Sequence, residues 1–157
     1  MKRKIYDLIA EPKGEIYRIL LKETGPLSQR IWLVMREGLG LDSKGQKVLQ
    51  RLTPYQIRIF EASEWPGTTL LNSVAKIHEY EFCNEALEVI TEATHSLYGW
   101  KQPDLPEDIA FLRADGSTVL ATIAHEKDAF MELSDEEYRQ LTQDRRLKSL
   151  LKGSPSD

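Results

Sequence analysis

Asp115-Gly116 sits between two apolar runs, Ile109-Ala110-Phe111-Leu112-Arg113 and Val119-Leu120-Ala121-Thr122-Ile123. An Asp-Gly pair tolerates positive φ at both central positions, the geometry of a two-residue type I′ hairpin. That turn sets Leu112 opposite Val119 and Ala110 opposite Ala121 on one face, with Phe111 opposite Leu120 on the other. Both faces then carry apolar groups, so the hairpin belongs inside a sheet and not at its rim. After the turn His125-Glu126-Lys127-Asp128 a third run returns, Ala129-Phe130-Met131-Glu132-Leu133. Such a meander needs strands beside it and helices over it. The expected class is therefore α+β: an antiparallel β-sheet with a C-terminal meander, packed against several helices.

The rest of the chain supplies both. Gln56–Ala62 and Val74–Phe82 alternate with period two and flank the turn Trp65-Pro66-Gly67, which suggests an antiparallel strand pair. Ile31–Met35 is short, apolar and bulky; a buried strand is the simplest reading, with a helical turn as the alternative. Lys4 to Lys22 reads as a helix bent or split at Pro12 and Gly14. Asp42 or Ser43 caps a short helix that Pro54 closes. Asn84 looks like the N-cap of a helix over 84–97, whose stripe is Ala86, Leu87, Ile90, Ala93, Thr94 and Leu97 and whose stop is Gly99. Ser134 and Glu137 have capping-box spacing at the head of a last helix over 134–148, carrying Tyr138 and Leu141 and extending toward Leu147, Leu150 and Leu151. Residues 1–150 are expected to make one domain and 151–157 a disordered tail, because the length of 157 residues suits a single core.

Composition excludes several functions. The formal net charge of −4 argues against general nucleic-acid binding, since an acidic surface repels phosphate. Cys83 is the only cysteine, so neither an intramolecular disulfide nor a thiolate metal cluster can form. Asp7 interrupts the apolar stretch after the basic Met1-Lys2-Arg3-Lys4, and no run approaches a membrane span. A soluble protein of the reducing cytoplasm is the expectation.

Catalytic motifs come close and fail. His125-Glu126-Lys127-Asp128-Ala129 has alanine where a zinc-protease helix needs its second histidine. His125, Glu126 and Asp128 share a turn, but strand neighbours point to opposite faces, so a solvated turn is favoured over a metal site. Gly40 to Lys47 lacks the Lys-Ser/Thr pair that a phosphate loop requires directly after its second glycine. Cys83 at a strand-to-helix junction could pair with His78, though a buried structural cysteine is the better reading. Trp65 and Trp100 stand in proline-flanked loops, where an indole either anchors a partner or caps the open end of a core. No catalytic residue, metal or cofactor is assigned. Candidate binding residues are Trp65, Trp100, Arg113, Asp115, His125 and Glu126.

Four stretches resemble one known group: Ser63-Glu64-Trp65-Pro66-Gly67-Thr68, Leu97-Tyr98-Gly99-Trp100, Leu105-Pro106-Glu107-Asp108 and Ile123-Ala124-His125-Glu126. They are similar to small soluble bacterial proteins of unknown function, some loosely labelled stage III sporulation protein AH. The similarity spans most of the chain beyond Arg30. It implies no reaction; it implies that the four stretches belong to one recurring fold. The label itself implies a membrane anchor, which no run here supplies. The reading that remains is a non-catalytic binding or protein-interaction module, immunity-type or regulatory, with another protein as partner. The rivals are a hydrolase or metal-assisted enzyme using His125, Glu126 and Asp115, and a homodimer joined through an exposed sheet edge.

Overall fold

The computed structural model describes residues 2–153. Its centre is an eight-stranded sheet in which every neighbouring pair is antiparallel. In chain order the main elements are β1 (Lys4–Leu8), α1 (Glu15–Thr24), β2 (Arg30–Arg36), α2 (Ser43–Leu52) and β3 (Gln56–Ala62). Then come β4 (Glu64–Trp65), β5 (Thr68–Thr69), β6 (Ala75–Glu81), α3 (Asn84–Ala93), β7 (Glu107–Leu112), β8 (Thr118–Ile123) and β9 (Asp128–Leu133). Finally α4 (Asp135–Leu141), α5 (Arg145–Leu150) and β10 (Leu151–Gly153) complete the described chain. The strand order is β10-β1-β9-β8-β7-β2-β6-β3, while β4 and β5 form a separate two-stranded hairpin. The fold is α+β, and no helix among the described residues is long and apolar enough to cross a membrane.

The sheet separates two cores. On one face Ile31, Leu33, Tyr80, Ile109, Phe111, Leu120 and Met131 meet Leu20 and Leu21 of α1, Leu52 of α2, Ile90 of α3 and Leu147 of α5. On the other, Val34, Ala75 and Ile77 are covered by Trp65 from the β4–β5 hairpin. Gly67 at the tip of that hairpin has φ +91°, and a Cβ there would lie 2.8 Å from Cγ1 of Ile123. The positive φ and the close approach both call for glycine. Every residue of β7 is buried; the apolar faces of residues 109–112 require it, and the carboxylates Glu107 and Asp108 share it.

Several expectations need correction. Residues 4–22 are not one helix. Lys4–Leu8 is a strand, with Tyr6 and Leu8 buried and Lys4, Ile5 and Asp7 exposed, a period of two. Ile9 and Ala10, which suggested helical spacing, are exposed, and α1 starts only at Glu15, after Gly14 at φ +64°. Cys83, not Asn84, caps α3: its Sγ accepts the Ala86 N–H at 3.4 Å. The helix ends at Ala93 because Thr94 is extended, and Leu97 is buried from a separate 3₁₀ turn.

The β7–β8 turn is not type I′. Only Gly116 has positive φ there, and Leu112 pairs with Thr118 across a bulge, while Phe111 does pair with Leu120. The cause is the Asp115 carboxylate, which accepts from Ser117 N at 2.9 Å and Ser117 Oγ at 2.6 Å and draws that residue into the turn. The Ser134–Glu137 capping box is present, but the last helix breaks and restarts at Asp144, whose side chain accepts from Arg146 N. Leu151–Gly153, expected in a tail, form β10 on the outer edge of β1. Residues 154–157 lie outside the described residues.

Candidate functional site

Successive side chains of a strand ordinarily point to opposite faces. At the start of β7 two successive carboxylates, Glu107 and Asp108, are instead both buried. The pairing of β2 with β7 shifts register here, and Asp108 takes φ +50°, a conformation that few residues other than glycine tolerate. This left-handed turn, which aspartate tolerates better than most residues, accompanies the inward placement of both acids.

Each acid is held by groups from distant parts of the chain. Trp65 Nε1 donates to Asp108 Oδ2 at 3.1 Å, and Ala124 N donates to its Oδ1 at 3.0 Å. Asp108 N donates to Trp100 O. Gln102 N donates to Glu107 Oε1 at 2.6 Å, and His125 Nε2 lies 2.9 Å from the same oxygen. Glu107 Oε2 is buried with no partner. The Gln102 side chain ties in the end of β2: it accepts from Arg36 N at 2.8 Å and donates to Arg36 O and Gly40 O. The Gln102–Pro103 peptide is cis. Burial pushes the Glu107 carboxyl above its ordinary range, against the pull of the Gln102 N–H and His125. Burial raises Asp108 likewise, opposed by the Ala124 and Trp65 donors.

Four separate stretches of the chain thus meet at one place. Trp65, Trp100, Glu107–Asp108 and the 123–126 turn surround the same two carboxylates. Yet the tryptophans are not a surface. Trp65 is buried against Asp108, and Trp100 is fully buried, its Nε1 donating to Tyr17 Oη at 3.1 Å while Tyr17 Oη donates to Ile90 O. Neither indole is exposed to anchor a partner, and both are part of the buried interior.

Arg113 and Asp115 stand apart, at the far end of β7. Arg113 is buried and spends its guanidinium on Glu137, Thr118 O and Glu132 O. Asp115 is exposed at the hairpin tip, bonded to Ser117 and near Arg3 at 4.0 Å. Glu126 is exposed. His125 therefore meets Glu107, and meets neither Glu126 nor Asp115. Above it lies an open depression of about 260 Å³ lined by Arg36, Glu37, Leu39 and His125, below the usual size of a small-molecule site. No group of three or more His, Cys, Asp or Glu among the described residues is arranged to hold a metal ion. His78 and Cys83 are engaged separately, His78 beside the Tyr80 hydroxyl and Cys83 at its helix cap.

A second feature lies at the sheet margin. Among the described residues strand β3 pairs only with β6, so its other side presents open backbone groups along Gln56–Ala62. Ile57 and Ile59 are 44% and 47% exposed. On the opposite face Arg58 donates to Glu79 at 2.8 Å and lies 4.2 Å from the Phe60 ring, which packs edge-on against Trp32. The Trp32 and Arg58 donors outweigh the effect of burial and hold the Glu79 carboxyl below its ordinary value. A bulge between Gln56 and Arg58 leaves Arg58–Ala62 in regular register. At the opposite margin β10 has three described residues. No family model, curated protein or solved structure matches the chain.

Proposed function

We propose that the protein is a non-catalytic protein-interaction module that takes an extended strand along the free edge of β3. One observation carries this reading: a seven-residue edge strand with Ile57 and Ile59 about half exposed. Natural edges are usually short or blocked by lysine or proline, because an open ladder recruits other strands. β3 contains neither residue, and its bulge between Gln56 and Arg58 lies at one end, leaving residues 58–62 regular. Strand addition would satisfy the open backbone groups and cover the two isoleucines together. An immunity-type or regulatory role in the cytoplasm fits this mode, and the lone unpaired Cys83 suits a reducing compartment. The rival enzymatic reading rests on the His125–Glu107 contact. That contact is weak support, since the carboxylates are spent on internal donors and the depression is small.

The test is a peptide-display selection on dilute protein, counter-selected against the Ile59→Lys variant. The expected result is enrichment of short peptides with alternating apolar residues, whose binding is lost in the variant. Peptides that bind both proteins equally, or no enrichment at all, would remove the proposal.

A further inference from the structure

We infer that the strand taken up by β3 carries an aspartate or glutamate opposite Arg58, set beside an apolar residue opposite Ile59. The inference rests on the strand-addition reading and names the chemistry of the partner. Along Arg58–Ala62 the pairing with β6 is regular, so side chains alternate between the two faces there. An incoming strand that runs antiparallel, the better ladder per residue, brings same-face side chains opposite each other.

Arg58 is the one cation of that segment, and its head is already ordered. Its Nε donates to Glu79 Oε1 at 2.8 Å, and the guanidinium lies 4.2 Å from the centre of the Phe60 ring. Among the described residues this is the only hydrogen bond of the side chain, so its two terminal nitrogens keep their donors. The side chain is nonetheless 57% exposed. A guanidinium held in this way can meet a carboxylate through two parallel N–H···O bonds and loses little further freedom in doing so. Glu79 does not take that place. Its other oxygen accepts from Trp32 Nε1 at 2.8 Å, and Arg30 as well as Arg58 acts on its charge.

The neighbours of Arg58 set the remaining positions. Ile59, 47% exposed on the other face, favours an apolar residue next to the acid. Phe60 favours a second one on the acid's own face. Glu61 is exposed and opposes a carboxylate across from itself, since like charges directly opposite destabilise a ladder. Read from its own N-terminus, an antiparallel partner therefore runs non-acidic, apolar, apolar, acidic. The acid is favoured at one end of this stretch and excluded at the other, so charge sets the register.

The test begins with the sequences of the peptides that the full chain enriches and Ile59→Lys fails to bind. An acid should recur directly after two apolar residues. Fluorescence anisotropy then compares the tightest peptide with its counterpart carrying glutamine for that acid, on the wild type, Arg58→Gln and Arg58→Lys, with circular dichroism to confirm that each variant is folded. The wild type should bind the glutamine peptide about fivefold more weakly, a loss that shrinks in high salt. Arg58→Gln should bind the two peptides equally, and Arg58→Lys should fall between. Enriched peptides without the acid, or a glutamine peptide that loses as much on Arg58→Gln as on the wild type, would overturn this inference and leave the strand-addition reading standing. No enrichment at all would remove both.

Discussion

Replacing Arg113 by methionine tests whether this residue is a pin of the fold or part of a surface. The side chain is buried and its guanidinium holds both oxygens of Glu137, at 2.7 and 3.2 Å, together with the carbonyls of Thr118 and Glu132, at 2.6 and 2.7 Å. Methionine keeps much of the stem's volume and removes every donor. Glu137 is left partly buried without its cation, and two carbonyls lose a charged donor. Removing one partner of a buried pair costs about 3–5 kcal/mol, against about 0–1 kcal/mol for an exposed pair. The side chains of Arg113 and Glu137 are 9% and 19% exposed, so the larger range applies. Guanidinium denaturation at neutral pH should show a lower midpoint at unchanged slope, and the melting temperature should fall by about 6–20 °C.

The pH dependence supplies a second readout. Burial raises the Glu137 carboxyl, but the Ser134 N–H and Arg113 outweigh it and hold the group below its ordinary value. A carboxyl depressed in the folded state stabilises above its unfolded pKa of about 4.3 and loses that contribution as pH falls through the lower folded value. The difference between wild type and variant should therefore shrink on acidification. Arg113→Lys keeps the charge but not the fork, so it should fall between the two. A loss under about 1 kcal/mol for Arg113→Met, independent of pH, would show that the pair behaves as a solvated one and refute the assignment.

Glu107→Gln removes the ionisation of a wholly buried group while keeping its shape. Because burial raises this carboxyl, the folded state holds the proton more tightly than the unfolded chain, and stability falls as pH rises from about 4.3 through the raised folded value. Thermal melts across that window should be flatter for the variant, with stability at neutral pH equal to or above wild type; a clear loss at neutral pH would mean that the ionised pair with His125 is net stabilising. Gly67→Ala places a Cβ against Ile123 at φ +91° and should cost about 1–2 kcal/mol. Hydrogen exchange should show the 63–70 segment opening first in that variant, and unchanged protection there would argue against the contact.

Much of the architecture was legible where one local signal had one physical meaning. Ser134 and Glu137 form the capping box that their spacing announced, and the two-faced apolar runs of β7 and β8 do lie inside the sheet. Failure came where two periods fit the same letters. Tyr6, Ile9 and Ala10 suited a helix, but pairing with β9 made Tyr6 and Leu8 the inward residues. The site was less legible. Glu107 and Asp108 follow Pro106 and read as polar loop, whereas long-range donors from Trp65, Gln102, Ala124 and His125 make their burial tolerable. The one local clue was two acids abutting an apolar run on the strand side of a proline. Arg113 and Trp100 stood as binding candidates, and Trp100 equally as a cap of the core, because nothing nearby in the chain announces Glu137 or Tyr17 as partners.

The position of β1 bears on how the chain is made. Lys4 pairs with Leu133 and Leu8 with Leu151, so the first strand lies between the last two. During synthesis β1 emerges early and finds neither neighbour until residues 128–153 have cleared the ribosome. The central strands and the helices between them can assemble beforehand, but both edges of β1 must wait. Such non-local closure slows folding and leaves an unpaired strand exposed in the interval. Lys4 and Asp7 place a charge near each end of that strand, and charges within an apolar strand oppose aggregation while it waits.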